Sequence, residues 1–177
     1  MAERFIKYEK HGVIEKSSML STNYGRHIMN VVFDKDVDQG NVCVLGDYVE
    51  PDYFKAAVPA KEDAVLIVAN EPKIYADYTN KMQEESNYFV GKGEISEVDD
   101  MDRFDIVTLS DESFDDDAAP AVGKYVVVNG KDYALTTVDD EPTGYGFVGK
   151  IFDIANNGRY RVLVQRNLKV EAAVTTP

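Results

Sequence analysis

The sequence predicts an all-β fold, a compact sandwich or barrel of about eight short antiparallel strands. Three observations support this prediction. Short β-branched and apolar runs recur along the 177 residues, turn residues punctuate them, and almost no stretch has helical apolar spacing. The only helix candidate, 74–85, has poor spacing and is expected to form a turn or two at most.

The chain divides into three predicted parts. Residues 1–25 have neither a period of 2 nor one of 3.6 and end in a polar, Gly-terminated stretch, which favours an extended N-terminal arm. The β domain covers 26–166 and carries a protruding acidic loop at about 99–121. The small, polar residues 167–177 are expected to form a flexible tail.

Strand signals begin after residue 26. The first runs are β-branched or apolar and end in turn residues; they are 28–33, 41–45, 64–69, 93–98 and 104–109.

Two hairpins are expected in the last third of the chain. Asn129-Gly130 separates 124–128 from 131–136, and this dipeptide is typical of a two-residue type I′ turn. Asn156-Asn157-Gly158 separates 147–155 from 159–166. In the last strand, alternate residues from Tyr160 to Val164 share one face.

The charge is concentrated in the middle of the chain. The net charge is −13, and residues 36–120 contain 22 acidic side chains against six basic ones. Such a field repels phosphate backbones and anionic lipids, so neither a nucleic acid nor a membrane is expected as a partner. The cluster from Asp99 to Asp117 is most simply a hydrated surface, although it has oxygen ligands for a divalent cation.

Composition also limits the class of protein. Cys43 is the only cysteine, so an internal disulfide or a thiolate zinc cluster is excluded. No segment approaches the ~20 apolar residues of a spanning helix. The charged start of the chain does not resemble a secretory signal.

Two motifs suggest ligand sites but lack the required context. Residues 144–149 read Gly-Tyr-Gly-Phe-Val-Gly, but a turn precedes them and a strand follows, whereas a dinucleotide site needs a strand and then a helix. We therefore expect these glycines to allow bends or bulges. Asp34, Asp36 and Asp38 resemble the start of a calcium loop, but position 12 is Leu45, which excludes an EF-hand and favours a polar turn.

No catalytic residues are predicted, and no cofactor or metal is expected. His11 and His27 are the only histidines, and no nucleophile elbow accompanies them. Cys43 lies between two valines of an expected core strand, where a buried, unreactive thiol is the usual case. The many carboxylates leave a glycosidase pair open, but nothing selects two of them.

The layout of the chain resembles the head decoration (cement) proteins of tailed bacteriophages. A charged arm, 3–14, leads into an acidic, helix-poor β domain that closes with 146–152 and the Arg-rich strand 159–166. The resemblance is one of layout and carries no residue-by-residue signature. It implies a non-enzymatic virion protein, assembled in the host cytoplasm, that binds and stabilises the outer surface of the capsid lattice.

The resemblance also implies the partner, and the residue types of the N-terminal segment suggest the docking residues. The major capsid protein is the expected partner, with the protein present as a homo-oligomer or as many copies on the lattice. Aromatic and basic side chains are common interface anchors. The expected capsid-binding residues are therefore Arg4, Phe5, Lys7, Tyr8, Lys10, Tyr24 and Arg26.

Three other functions stay open at this stage. One is another virion component, such as a minor capsid, head-fibre base or tail protein. A second is a β-sandwich module that binds calcium or carbohydrate. An enzyme is the third, and it would require a pocket with convergent titratable groups.

Overall fold

The computed structural model describes residues 10–21, 28–49, 51–70 and 85–171. These parts of the chain contain eleven strands and two short 3-10 turns, which confirms the predicted all-β class. In chain order, the strands are β1 (Ile14–Ser18), β2 (Ile28–Val32), β3 (Val42–Val49), β4 (Tyr53–Ala57), β5 (Leu66–Val68), β6 (Ile95–Asp100), β7 (Ile106–Leu109), β8 (Tyr125–Val128), β9 (Leu135–Val138), β10 (Phe147–Ile154) and β11 (Tyr160–Asn167).

The strands form an open sheet and a closed barrel. The sheet has six antiparallel strands in the order β1-β7-β11-β10-β8-β9. The barrel has the order β2-β4-β3-β5-β6 and closes through the antiparallel pairing of β6 with β2. The β2–β4 pair is parallel, so the expectation of antiparallel strands throughout is wrong at this one pair among the described strands.

Two apolar clusters hold the sheet and the barrel together. The larger lies between them and combines sheet residues such as Leu109, Ile151 and Val162 with barrel residues such as Val42 and Ile67. The smaller cluster fills the barrel. The five residues named from the larger cluster are all buried. Burial of apolar surface in this shared core is therefore the main stabilising term.

Tyr133 connects the loop between β8 and β9 to the barrel. Its ring packs edge-on against Phe33, with centroids 5.0 Å apart, and its hydroxyl donates to Asp34 Oδ1 at 3.1 Å. The loop therefore runs from 129 to 134 instead of the predicted two-residue turn. Asn129 Oδ1 accepts from the backbone N–H groups of Lys131 and Asp132, which shapes the longer loop.

The predicted arm, 1–25, is corrected where the structure describes it. Residues 14–18 form β1, an edge strand paired with β7, and Met19 is fully buried in the shared core. The β1 side chains are mostly polar, but their backbone groups complete the sheet edge. Residues 1–9 and 22–25 lie outside the described part of the chain.

The predicted acidic loop at 99–121 is also corrected, because this range contains the end of β6, all of β7 and a 3-10 turn. Two of its carboxylates are buried. Asp99 faces Lys16, with Lys16 Nζ 3.3 Å from Asp99 Oδ2. Asp105 accepts hydrogen bonds from the backbone N–H groups of Asp102 and Leu20. Contacts with Lys16 and Leu20, both distant in sequence, therefore bring part of the acidic segment into the fold.

The remaining turn and tail predictions have mixed outcomes. Asn156-Asn157-Gly158 connects β10 to β11 as predicted, with Gly158 at φ +81°. The tail prediction is corrected over its first residues, because Asn167 belongs to β11 and Val170 N–H donates to the Glu62 carbonyl. Residues 172–177 are outside the described part.

The three glycines of the Gly-x-Gly motif have structural roles, as expected. Gly144 has φ +76°, and the β10–β11 register shifts beside Gly149. Gly146 N–H donates to the Lys61 carbonyl, and a Cβ at this position would lie 2.2 Å from the Asp63 carbonyl oxygen. The motif thus lets β10 pass close to the barrel.

Candidate functional site

The surface with the strongest binding character is the outer face of the six-stranded sheet, the side away from the barrel. In an antiparallel sheet with one covered face, the other face is normally polar. Here it carries both apolar and aromatic side chains, which belong to four strands and to the turn before β7. We define the outer face by Phe104, Ile106, Tyr125, Lys150, Phe152, Arg161 and Leu163.

Each aromatic ring on the outer face has a cation over it. The Arg103 guanidinium lies 4.6 Å from the Phe104 centroid, and Lys150 Nζ lies 4.8 Å from the Tyr125 centroid. The third pair joins the Arg161 guanidinium to Phe152 at 5.2 Å. Stacking holds long side chains flat against the sheet, so less of their rotamer freedom remains to be lost on binding.

Phe104 is the most exposed aromatic ring on this face, with 67% of its surface accessible. Its φ of +80° lies in the left-handed region, which bulky residues rarely occupy. Strand β11 enforces this conformation: Phe104 N–H donates to the Val164 carbonyl at 2.8 Å, and Val164 N–H donates to the Asp105 carbonyl at 2.9 Å. Phe104 is therefore held in a strained backbone conformation while its ring stays exposed to solvent.

A cleft of about 430 Å³ opens beside Phe104. Its volume falls in the range of small-ligand sites. Apolar and charged side chains share its lining, and we call it the Phe104 cleft: Arg103, Phe104, Glu141, Pro142, Val148, Leu163, Val164, Gln165 and Arg166.

The two arginines of the Phe104 cleft have no carboxylate partner within the described residues. Arg166 donates from one terminal nitrogen to the Tyr145 carbonyl, and its Nε is buried without a hydrogen-bond partner. Arg103 is exposed and stacks on Phe104. Glu141 is the only acidic residue among the described residues that line the cleft, so the cleft is locally cationic in a chain of net charge −13.

Of the seven sequence-predicted docking residues, the structure describes Lys10 alone, and Lys10 lies away from the outer face. Lys10 is exposed, and its Nζ lies 2.6 Å from Glu112 Oε1, which raises the pKa of Lys10 through the hydrogen bond and the charge of that carboxylate. The other six (Arg4, Phe5, Lys7, Tyr8, Tyr24 and Arg26) lie outside the described residues.

The cleft around Lys10 is acidic and has a volume of about 490 Å³. Its lining includes Asp38, Asp111, Asp115 and Asp116. Despite this supply of oxygen atoms, no group of three or more His, Cys, Asp or Glu side chains is arranged to hold a metal ion anywhere in the described ranges. The calcium-loop resemblance of 34–38 gains no support, and Gly40 is instead a turn residue at φ +82°.

His11 and Cys43, which were considered as catalytic groups, are both packed within the fold. His11 Nδ1 lies 2.8 Å from Asp38 Oδ1, and its ring stacks on Phe89 at 4.6 Å. Cys43 is fully buried, and desolvation raises the pKa of its thiol to about 12, which disfavours a nucleophilic thiolate. His27 lies outside the described part.

Sequence reasoning missed the Phe104 cleft because its lining comes from residues far apart in the chain. The sequence pattern of 104–109 predicts that Phe104 begins a strand, where an apolar residue is common. The one local signal for this site is the dipeptide Arg103-Phe104, a cation beside an aromatic residue and next to acidic residues. This dipeptide does not show whether the Phe104 ring is exposed.

No helix in the described residues is long and apolar enough to span a membrane. The chain matches no family model, no curated protein and no solved structure.

Proposed function

We propose that this protein is a non-enzymatic structural protein that docks onto a larger protein assembly through the outer face of its six-stranded sheet. The assembly we propose is the outer capsid lattice of a tailed bacteriophage, with the major capsid protein as the partner, because the layout of the chain resembles that of decoration proteins. The observation that carries the proposal is Phe104, which is strained, pinned by β11 and yet exposed.

The composition of the outer face supports protein binding. Aromatic residues and arginine are enriched where proteins meet, and single aromatic anchors supply much of the affinity. Phe104 and Phe152 provide two rings, and Arg103 and Arg161 lie over them. Because the rings and cations are already ordered by one another, docking costs less side-chain entropy.

The proposal differs from the sequence-based one in the surface used. Strand β1 and Met19 belong to the protein's own fold, so 14–19 cannot serve as a free arm without opening the sheet edge. The residues before Lys10 stay in the proposal as additional contacts. Many weak contacts on a repeating lattice would add up through effective concentration, and the net charge of −13 would keep decorated particles apart.

Co-sedimentation with empty capsids tests the proposal. Phe104→Gly removes the ring and relieves the left-handed strain, so the variant is expected to fold at least as well as the wild type. Its loss of affinity should be about 2 kcal/mol, or roughly thirtyfold. Ile95→Thr removes an apolar side chain of similar exposure from the barrel and should bind like the wild type.

Unchanged capsid binding by folded Phe104→Gly would contradict docking through the outer face. Deletion of 1–9 measures how much these residues contribute to capsid affinity, since the deletion keeps Lys10 and β1. If this deletion abolishes binding and Phe104→Gly does not, docking uses the N-terminal residues, as the sequence suggested. Electron microscopy of labelled particles distinguishes the capsid surface from a minor capsid, fibre-base or tail location.

A further inference from the structure

We propose that the Phe104 cleft recognises an extended protein segment that presents one carboxylate next to an apolar side chain. The cleft would bind the carboxylate and the apolar side chain of this segment. Only the assignment of the segment to the docking partner rests on the proposed function. The occupant follows from the charge of the cleft, its apolar floor and its position on the sheet.

The floor of the cleft is suited to an apolar side chain. It is formed by Val148 of β10 and Leu163 of β11. Val148 is buried and Leu163 is half-buried, so the floor is already dehydrated over part of its area. The Phe104 ring and Pro142 add apolar surface to the lining, and an inserted side chain would therefore lose water on several sides.

The charges of the cleft call for a carboxylate. Arg103 and Arg166 both line it, and neither has an acidic partner in the described residues. Guanidinium groups bind carboxylates through paired, charge-assisted hydrogen bonds. Arg103 stacks on Phe104 and Arg166 is tied to the Tyr145 carbonyl, so both side chains are positioned before the ligand arrives.

The surroundings disfavour a nucleic acid. Glu141 lines the cleft, and Asp139 and Asp140 lie next to it in sequence. A nucleic acid would bring a phosphate at every nucleotide against these carboxylates, whereas a protein segment can place its single charge at the arginines. The cleft therefore fits one local negative charge and not a charged polymer.

Recognition is expected to use side chains and not strand addition. The cleft opens on the face of β10 and β11, and both strands are interior to the sheet with neighbours on each side. Their backbone groups pair with each other along most of their length, β10 also pairs with β8 at Gly149 and Lys150, and β11 pairs with β7 over 160–163. An occupant would therefore lie across the sheet and be held by the lining side chains.

A fragment titration tests the inference independently of any capsid. Phenylacetate, which carries a ring and a carboxylate, is titrated at millimolar concentrations into uniformly ¹⁵N-labelled protein. Amide shifts should saturate and be confined to residues near the cleft, at 103–105, 148 and 163–166. Phenylacetamide, the uncharged analogue, should bind at least about fivefold more weakly, since it cannot form the charge-assisted pair.

Two variants test which arginine binds the carboxylate. Arg103→Gln should weaken phenylacetate binding by about fivefold or more. Arg161→Gln removes an arginine from the same outer face but outside the cleft, and it should leave the affinity unchanged. Equal shifts with phenylacetamide, shifts spread over the outer face, or equal losses in both variants would overturn the inference.

The outcomes separate this inference from the proposed function. If Phe104→Gly loses capsid binding while phenylacetate fails to bind the wild type, the outer face docks onto the capsid but the cleft does not bind a carboxylate. If phenylacetate binds as expected while capsids do not co-sediment, the cleft is a carboxylate site and the proposed partner is wrong.

Discussion

The two faces of the six-stranded sheet differ in what covers them. Along β11, Val162 and Val164 point towards the barrel and have no exposed surface, while Arg161 and Leu163 point outward and are half-buried. Both faces carry apolar side chains, but only the inner face has a partner within the described chain. The comparison teaches that one strand can supply stability through one face and, as we propose, recognition through the other.

The largest difference should appear when apolar side chains are truncated on each face. Ile151 is fully buried in the shared core, so Ile151→Ala should lower the free energy of unfolding by about 3 kcal/mol. Leu163→Ala, on the outer face, should cost about 1 kcal/mol or less, because the side chain is already partly solvated. Urea unfolding measures both, and equal losses would contradict the assignment of the two faces.

Two glycines that flank β10, one before it and one in the turn after it, give the next contrast. Gly146→Ala would place a Cβ against the Asp63 backbone carbonyl, which has little freedom to move, and should cost about 3 kcal/mol. Gly158→Ala meets no atom within 4 Å but must keep φ at +81°, and should cost about 1 kcal/mol. Thermal unfolding of the two variants checks the order; a larger loss at Gly158 would be inconsistent with close packing of β10 on the barrel.

The buried Asp99, which faces Lys16, should make the free energy of unfolding depend on pH. Desolvation raises the pKa of its carboxyl, although Lys16 opposes the shift. The folded protein then holds this proton more tightly than the unfolded chain. This contribution to stability is complete below the ordinary pKa of aspartate and is lost as pH rises through the raised value.

Asp99→Asn removes that titration. At pH 7 the variant should be more stable than the wild type by about 1 kcal/mol, and the difference should shrink towards about pH 4. Urea unfolding across this range provides the measurement. A less stable variant at pH 7 would mean that the attraction of Lys16 outweighs the desolvation of Asp99.

The smallest effect is expected at the exposed edge of the outer face. Arg159 Nη1 lies 2.8 Å from Glu15 Oε1, and both side chains contact solvent. Glu15→Gln should cost no more than about 0.5 kcal/mol, and added salt should remove the difference. A loss above 1 kcal/mol in chemical denaturation would show that this pair anchors β1 more strongly than a surface ion pair does.

Much of the fold could be predicted because its strands have local signals. The alternating pattern of 160–164 and the turn at 156–158 both identify the β10–β11 hairpin correctly. β1 was missed because Lys16 faces inward and is stabilised by Asp99, a partner 83 positions away in the chain. The long β8–β9 loop was missed for a similar reason, since Tyr133 completes the barrel core.

The candidate site was much harder to predict than the fold. The docking residues predicted from the sequence are aromatic and basic side chains of the N-terminal segment, which are the residue types common in interfaces. The Phe104 cleft instead combines residues 103, 141, 148 and 163, which only the sheet brings together. The left-handed backbone of Phe104 depends on two hydrogen bonds to Val164, and no local pattern encodes them.

Electron cryomicroscopy of empty capsids saturated with this protein tests the central claim most directly. We expect density for the lattice subunit against the outer face, with Phe104 and Phe152 in contact with it and the barrel turned away. Particles that bind the protein through the barrel, with the outer face open to solvent, would contradict docking through the six-stranded sheet.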